Sequence, residues 1–297
     1  MQVIGRAELK RLSERNDSAG LLHLAGHLAL LLATGCMVHL SFGTLWLWPA
    51  MAVHGVVLIF LFAPLHETIH RTAFRSRALN DVVAFVIGIL LVLPREYFRA
   101  FHFAHHRFTQ ESNDPELAVP KPATAQQFLW CISGGPYWIA GVRGLIIRAS
   151  GTLSEPIYAT DRVRQSVVRE ARWVLAIYGV ALGLSLAAQS TILIWYWMIP
   201  ALLGQPVLRL YLLAEHSGCP RSLDMLENSR TTYTNALVRF LAWNMPFHAE
   251  HHAWPSVPFH ALPAANAIIH DKLRTTAPGY TAASRDIWRT MRAGKAL

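Results

Sequence analysis

The segment Phe247-His248-Ala249-Glu250-His251-His252, near the C-terminal end of the chain, places three histidines within five residues. The same His-x-x-His-His spacing occurs earlier, over residues 102–106, and a third cluster, His66-x-x-x-His70, precedes both. Positions i, i+3 and i+4 share one face of a helix, so each cluster is expected to aim its imidazoles at one point. Because neutral imidazole is the commonest protein ligand for borderline transition metals, the three clusters predict a metal site.

The composition around these clusters is that of a membrane protein. Of the 297 residues, 53% are hydrophobic and only 15% are charged, whereas a soluble domain carries about 25% charged residues. The net charge of +9 could indicate nucleic acid binding, but the basic residues flank apolar runs. Juxtamembrane Lys and Arg on the cytoplasmic side explain the charge more simply, so we expect no nucleic acid partner. The three cysteines are scattered and indicate neither a disulfide framework nor a zinc ribbon.

Four apolar runs in the sequence approach the roughly 20 residues that a helix needs to cross a bilayer. A polar, basic leader over residues 1–20 precedes them and lacks the features of a cleaved signal peptide. The remaining residues, 21–297, are expected to form a single membrane domain in which the runs pair as two helical hairpins. The predicted spans cover about residues 21–40, 44–65, 173–188 and 191–210.

Two shorter apolar segments are not expected to span. Residues 82–93 are too few to cross comfortably and suit a buried, re-entrant or interfacial helix, and residues 126–147 are interpreted as an interfacial segment. Both chain ends and the Arg-rich central segment then lie on one face, which the positive-inside rule makes cytoplasmic. Every histidine cluster falls on that face. The predicted fold is therefore an all-α, multi-pass integral membrane protein, with four transmembrane helices in two hairpins and a cytoplasmic, histidine-rich cap holding a di-metal centre.

The number of candidate ligands exceeds what one metal ion can use. A structural zinc takes four ligands and a catalytic zinc three, whereas nine histidines are available here once the one that closes the fourth span is included. Two metals with four or five imidazoles each is the natural division, and a set of nitrogen ligands without cysteine suits iron, copper, nickel or zinc. The nine are His66, His70, His102, His105, His106, His216, His248, His251 and His252.

These histidines, in this order around two apolar hairpins, resemble the membrane fatty acid desaturase family, whose members carry three histidine boxes around a non-haem di-iron centre. His66-x3-His70 is similar to the first box, and the two His-x-x-His-His segments are similar to the second and third. His216 matches the additional histidine that members carry after the fourth span. The resemblance covers roughly residues 40–265. Flanking residues that agree with it are Thr109, Asp114-Pro115 and Pro255-x-x-Pro258.

The resemblance implies an enzyme in which two Fe ions use O2, after two-electron reduction, to remove hydrogen from an unactivated C–H bond. The implied reaction is the introduction of a double bond into a fatty acyl or other lipid chain. Neither a fused cytochrome b5-like segment nor a dinucleotide fingerprint is seen, so electrons are expected from a separate donor, such as a ferredoxin with its reductase. Polar residues near the boxes are candidates for fixing the imidazole tautomers, with a solvated or capping role as the alternative for each. They are Glu67, Asp114, Glu215, Asn244 and Glu250.

Three other functions fit part of the pattern. A hydroxylase or oxygenase of the same superfamily, acting on an alkyl, carotenoid or small amino-acid-derived substrate, would begin with the same hydrogen abstraction. The segment His66-Glu67-Thr68-Ile69-His70 is also the His-Glu-x-x-His pattern of zinc peptidases, with Glu67 as general base, but that hypothesis leaves six clustered histidines unexplained. A metal-binding or transport protein would usually place its ionisable residues in mid-span, whereas these lie at helix ends.

Overall fold

The computed structural model describes residues 3–153, residue 157 and residues 160–293; residues 1–2 of the predicted leader and 294–297 of the predicted domain lie outside this description. The described chain is mostly helical. Its α-helices are α1 Arg6–Leu12, α2 Asp17–Leu40, α3 Leu47–Ile59, α4 Phe62–His70, α5 Arg77–Leu90, α6 Arg95–Phe108, α7 Ala125–Ile132, α8 Gly135–Ser150, α9 Asp161–Ala187, α10 Ile199–His216, α11 Met225–Asn228, α12 Ala236–Leu241, α13 His248–Ala253, α14 Leu262–Ile269 and α15 Tyr280–Arg292.

The remaining regular elements are short. A π-helical turn, Ile194–Met198, leads into α10, and two 3-10 turns cover Pro115–Ala118 and His270–Lys272. Strands β1 (Thr231–Thr232) and β2 (Thr276–Ala277) pair in parallel and tie the polar C-terminal region together.

The prediction of four long apolar helices is confirmed. Within the described residues, four helical stretches are long and apolar enough to cross a membrane, and each overlaps one predicted run. Each of them extends beyond its predicted run at one end. The third begins at Asp161, because the charged segment before Trp173 continues the same helix. The four stretches are Asp17–Leu40, Leu47–His70, Asp161–Ala187 and Ile194–His216.

The two shorter apolar segments form bent or broken helices. The predicted run over residues 82–93 falls in α5 and the turn after it, and α5 and α6 meet at an angle of 100°. Pro94, which has no backbone N–H, precedes the first residue of α6 and separates the two helices. The predicted interfacial segment over residues 126–147 forms α7 and α8, which Gly134 separates with a left-handed φ of 76°.

A cluster of charges around Asp81 fixes α6 against its neighbours. The Asp81 carboxylate accepts hydrogen bonds from Arg71, at the end of α4, and from Arg99 in α6, with N–O distances of 3.2 and 3.0 Å. Arg95 lies 4.0 Å from Asp81 and binds Glu170 of α9 at 3.1 Å. These partly buried pairs connect α4, α5, α6 and α9, so they hold the first two histidine-bearing helices in a defined relation.

A contact between glycines brings α3 and α10 together. Gly55 and Gly204 lie so close that a Cβ atom on Gly55 would be 2.0 Å from the Pro200 carbonyl oxygen. A Cβ atom on Gly204 would be 2.1 Å from the Gly55 carbonyl oxygen. Small residues allow helix backbones to approach in this way within membranes. The contact sets the separation of the second and fourth candidate spans, whose last turns both carry histidines.

We predict that Gly204→Val destabilises the protein in detergent, because its side chain would overlap the backbone of α3 and overpacking costs roughly 1–3 kcal/mol. The measurement is the midpoint of thermal unfolding of the purified protein. Gly179→Val is the matched control, since the space around Gly179 in α9 is open. Equal midpoints for the two variants would contradict the close approach of α3 and α10.

Candidate metal centre

Four helices bring all nine predicted histidines to one place. The last turn of α4, the second half of α6 and the final residue of α10 supply six of them. The other three come from α13, which begins at His248, directly after a tight turn in which Trp243 and Asn244 have positive φ. A backbone bridge between Thr231 and Phe247 fixes the start of this short helix against β1.

The histidine side chains form two adjacent groups. In group A, the ring nitrogens of five histidines lie within 4.8 Å of one another, and in group B those of three others do so. His248 extends group B, because its Nε2 lies 3.0 Å from Nε2 of His216. The rings of His106 and His252 stack at 4.1 Å between centroids and join the groups. Group A is His66, His70, His102, His106 and His251; group B is His105, His216, His252 and His248.

Each His-x-x-His-His segment is divided between the groups, which corrects the expectation that each would aim at one point. In α6 the first and third histidines belong to group A and His105 to group B, whereas in α13 His251 belongs to group A and the other two to group B. Successive residues on a helix project about 100° apart. The adjacent pairs His105-His106 and His251-His252 therefore deliver one imidazole to each group.

Hydrogen bonds determine which nitrogen carries the proton on three rings of group B. His105 Nδ1 donates to the Asp114 carboxylate at 2.9 Å, and His216 Nδ1 donates to the Asn228 backbone carbonyl at 3.2 Å. His252 Nδ1 donates to the Thr109 hydroxyl oxygen at 3.2 Å, and that hydroxyl itself donates to the His105 carbonyl at 2.7 Å. In a neutral ring the proton on Nδ1 leaves a lone pair on Nε2. Three Nε2 lone pairs are thereby directed into group B.

The nitrogen atoms in group B are arranged to bind a cation. In the tautomers described above, the lone pairs of His105 Nε2 and His216 Nε2 face each other at 3.1 Å. Burial opposes charge on His105, but the carboxylates of Glu116 and Asp114 raise its pKa, so a proton as well as a metal ion is favoured between the two rings. Two facing lone pairs repel unless positive charge lies between them. In group A, His102 Nε2 is 2.6 Å from His66 Nε2 and 2.9 Å from His106 Nε2. The side chains present therefore fit metal binding, with an all-nitrogen donor set in each group.

Burial keeps the rings of α13 neutral and ready to bind a metal. Loss of solvent, reinforced by the neighbouring imidazoles, holds the pKa of His248, His251 and His252 well below its usual range. Neutral rings retain the lone pair that a metal requires. Among the residues that the structure describes, His252 Nε2 is buried with no hydrogen-bond partner, as expected for a nitrogen that binds a metal ion.

The five predicted supporting residues differ in what they contact. Asp114 binds His105, and Glu215 lies 3.4 Å from His248 Nδ1 without hydrogen-bond geometry. The other three bond elsewhere: Glu67 accepts from Thr72 and from the Phe259 backbone, Asn244 donates to the Phe259 carbonyl, and Glu250 accepts from Thr231 and Asn266.

Two residues that accept hydrogen bonds from the histidine rings were not predicted from the sequence. Thr109 follows the second cluster by only three residues, so a search for polar side chains one turn away could have found it. Asn228 acts through its backbone carbonyl, which no residue type reveals.

Three histidines outside the clusters join helices to one another. His27 Nε2 contacts the Val57 carbonyl at 2.9 Å, and His54 bridges Thr34 and the Tyr196 carbonyl at 2.9 and 3.1 Å. His23 contacts the Phe240 carbonyl at 2.8 Å. These three histidines therefore serve helix packing.

The chain is similar in sequence to known desaturases. The profile of the fatty acid desaturase family matches residues 44–284. A dihydrorhizobitoxine desaturase of Bradyrhizobium elkanii is 28% identical over 91% of this chain and 80% of the relative. A sphingolipid delta(4)-desaturase of Drosophila melanogaster is 26% identical over 82% of this chain and 73% of the relative. An sn-1 oleoyl-lipid 12-desaturase of Picosynechococcus is 27% identical over 39% of this chain and 36% of the relative.

We predict that Asp114→Asn weakens metal binding in group B by roughly 10- to 100-fold, the usual effect of losing a partner that orients a ligating histidine. The amide preserves the shape of the side chain but removes the charge that favours a proton on His105 Nδ1. Metal retained during titration with a chelator measures the effect. Glu111→Gln, which neutralises an exposed carboxylate nearby, is the control, and indistinguishable titrations would contradict this role for Asp114.

Proposed function

This chain belongs to the fatty acid desaturase family, and on that premise we propose that it is an O2-dependent membrane desaturase that holds one iron in each histidine group. That it is an oxidoreductase enzyme follows from the family and from its desaturase relatives. The family and the apolar helices also make it an integral membrane protein. We propose, in addition, the two irons, the substrate, the electron donor and the orientation of the protein in the membrane.

One observation carries the proposal of two irons, namely the division of nine imidazoles, seven of them buried, into adjacent groups of five and four. The groups are built from nitrogen alone, and the tautomers in group B direct lone pairs inward. Imidazole ligands leave the full positive charge on a bound ion, whereas thiolates or carboxylates would offset it. When bound, a pair of irons would supply the reductive activation of O2 that hydrogen removal from an unactivated C–H bond requires.

The residues around the two histidine groups would keep the rings in position to bind the irons throughout the reaction cycle. Asp114, Thr109 and the Asn228 carbonyl hold three rings of group B in the ligating tautomer. Burial of the α13 histidines excludes water from the site. The Asp81 charge cluster and the α3–α10 contact keep the contributing helices in place. A desaturase needs this rigidity, because desaturation and hydroxylation diverge only in the placement of the substrate after the first hydrogen is removed.

The proposed substrate is a fatty acyl or other lipid chain that enters from the membrane. The relatives from Drosophila and Picosynechococcus are named for sphingolipid and oleoyl-lipid substrates, which supports a lipid. The Bradyrhizobium relative, which covers more of the chain, is named for dihydrorhizobitoxine, so a small hydrophobic or amphiphilic molecule is the alternative. Hydroxylation by the same histidine groups is the alternative reaction.

The proposed topology is two hairpins with the histidine groups on the cytoplasmic face. The second and fourth candidate spans both contribute histidines from their C-terminal turns, His66 and His70 from one and His216 from the other. This supports parallel second and fourth spans with antiparallel first and third spans. The concentration of Arg in the central segment supports the cytoplasmic assignment. We further propose that residues 21–297 form one domain and that a separate ferredoxin-type donor and its reductase supply the electrons.

The proposal predicts about two iron atoms per chain in gently purified protein, as measured by elemental analysis. His251→Ala and His252→Ala should each lower the iron content by about one atom and abolish turnover, because these neighbours serve different groups. The matched control is His39→Ala, in an exposed histidine at the far end of α2. One zinc and no iron in the unaltered protein would overturn the di-iron assignment.

The proposal also predicts that Glu67→Gln retains most of the iron and part of the activity. Glu67 would be the general base if the chain were a zinc peptidase, but here its carboxylate accepts hydrogen bonds from Thr72 and the Phe259 backbone. Double-bond formation in lipid extracts and cleavage of a casein substrate are both measured. Loss of a casein-cleaving activity in this variant would favour the peptidase instead.

A further inference from the structure

An arginine that takes no part in the histidine groups lies within the fourth candidate span. Arg209 precedes the ligand candidate His216 by seven residues, which is two helical turns on the same face of α10 and about 10 Å along its axis. Its Nε is buried without a hydrogen-bond partner, and no carboxylate lies within 4.0 Å of its guanidinium, among the residues that the structure describes. A cation within a membrane span is costly and commonly marks a functional site.

Gln205, one turn before Arg209 on the same face, adds a second unpartnered group. The residue is 0% exposed. Its amide nitrogen and oxygen are both buried with no hydrogen-bond partner in the described chain. A buried amide that makes no hydrogen bond is unfavourable, so the side chain is set to bind something besides protein. Pro206 follows directly and lacks the backbone N–H that would continue the helical hydrogen bonding, so α10 is locally weakened here.

Helix α8 faces these two side chains and shapes their surroundings. Gln205 packs against Gly134, where an added Cβ atom would lie 2.2 Å from the glutamine Cγ. The Tyr137 ring lies 4.7 Å from the Arg209 guanidinium carbon, and its hydroxyl already donates to the Leu91 carbonyl.

The unpartnered atoms are mostly hydrogen-bond donors. The guanidinium of Arg209 and the amide nitrogen of Gln205 can only donate, and the Gln205 oxygen is the single acceptor. Glu116 and Glu215 interact with Arg209 electrostatically, but neither forms an ion pair with it. A donor-rich site with one positive charge matches a small anion with several acceptor lone pairs.

We propose that Arg209 and Gln205 bind the carboxylate of the substrate. The inference rests on the proposed function, because it places the anion on the helix face that leads to His216 and group B. It narrows the substrate to a molecule with a free carboxylate, such as an unesterified fatty acid or an amino acid. A neutral acyl lipid would leave Arg209 and Gln205 unpaired.

The test is equilibrium binding of three radiolabelled probes to iron-containing protein in detergent: palmitate, methyl palmitate and norleucine. Tight binding of palmitate would identify a fatty acid as the carboxylate source, and tight binding of norleucine an amino acid. We expect the preferred acid to bind at least tenfold more tightly than methyl palmitate, because charge-assisted hydrogen bonds discriminate strongly against a neutral ester.

Variants separate this site from a general loss of structure. Arg209→Met should weaken binding of the acid at least tenfold and leave methyl palmitate unchanged, since the ester makes no use of the charge. Arg209→Lys should give an intermediate loss, because it keeps the charge but not the planar fork. Gln205→Met should give a smaller loss. Arg143→Met is the matched control, in an exposed arginine of α8, and should bind like the unaltered protein.

The outcomes distinguish the inference from the function on which it rests. Equal affinities for acid and ester, no measurable binding of either acid, or unchanged acid binding in both Arg209→Lys and Gln205→Met would overturn the carboxylate site. If iron remains near two atoms per chain in that case, the di-iron desaturase stands and Arg209 only balances Glu116 and Glu215. Absence of iron from the unaltered protein would instead refute the proposed function. Should Arg209→Met fail to fold, the Lys and Gln205 variants decide the result.

Discussion

The candidate metal centre depends on imidazole nitrogens that the surrounding helices hold facing one another at about 3 Å. In group B the protons of three rings are held on Nδ1 by neighbouring acceptors, so His105 and His216 present lone pairs to each other at 3.1 Å. Positive charge between the nitrogens relieves the repulsion between these lone pairs, either as a proton on His105, whose pKa the carboxylates of Glu116 and Asp114 raise against the effect of burial, or as a bound metal ion. The surrounding helices hold the rings in these positions.

The helical scaffold holds the histidine rings in place through close backbone packing and partly buried charge pairs. Gly55 and Gly204 allow α3 and α10 to touch, while Asp81 gathers arginines from the ends of neighbouring helices. The Asp81 cluster lies near the histidine-bearing turns, whereas Gly55 and Gly204 lie in the middle of the second and fourth candidate spans. The short helix α13 is outside the candidate spans and is instead held by β1, by the turn before it and by the bonds of Glu250 to Thr231 and Asn266. The site thus joins a membrane scaffold to a polar C-terminal region.

Much of this arrangement was predictable, and the failures have definite causes. The four apolar helices and the convergence of nine histidines followed from run lengths and spacing. The third candidate span was predicted too short, because charge ends an apolar run without ending a helix. Glu67, Asn244 and Glu250 were chosen for their proximity in sequence, but their side chains point to other partners. The Thr109 hydroxyl and the Asn228 carbonyl contact the rings instead. Thr109 lies one helical turn after His105, on the same face of the helix. A backbone carbonyl such as that of Asn228 occurs at every residue, so the sequence does not single it out.

The sequence by itself determined the chemistry: histidine spacing, apolar run length and the family pattern define a membrane oxidoreductase rich in metal ligands, because these properties depend only on local periodicity and residue type. Only the tertiary structure decided how the ligands are shared. Each His-x-x-His-His segment supplies both groups, with two imidazoles to group A from α6 and two to group B from α13. That division depends on how two helices are rotated about their axes relative to each other. Helix rotation is set by long-range contacts such as those of Asp81, β1 and the glycine pair, which join residues far apart in the chain.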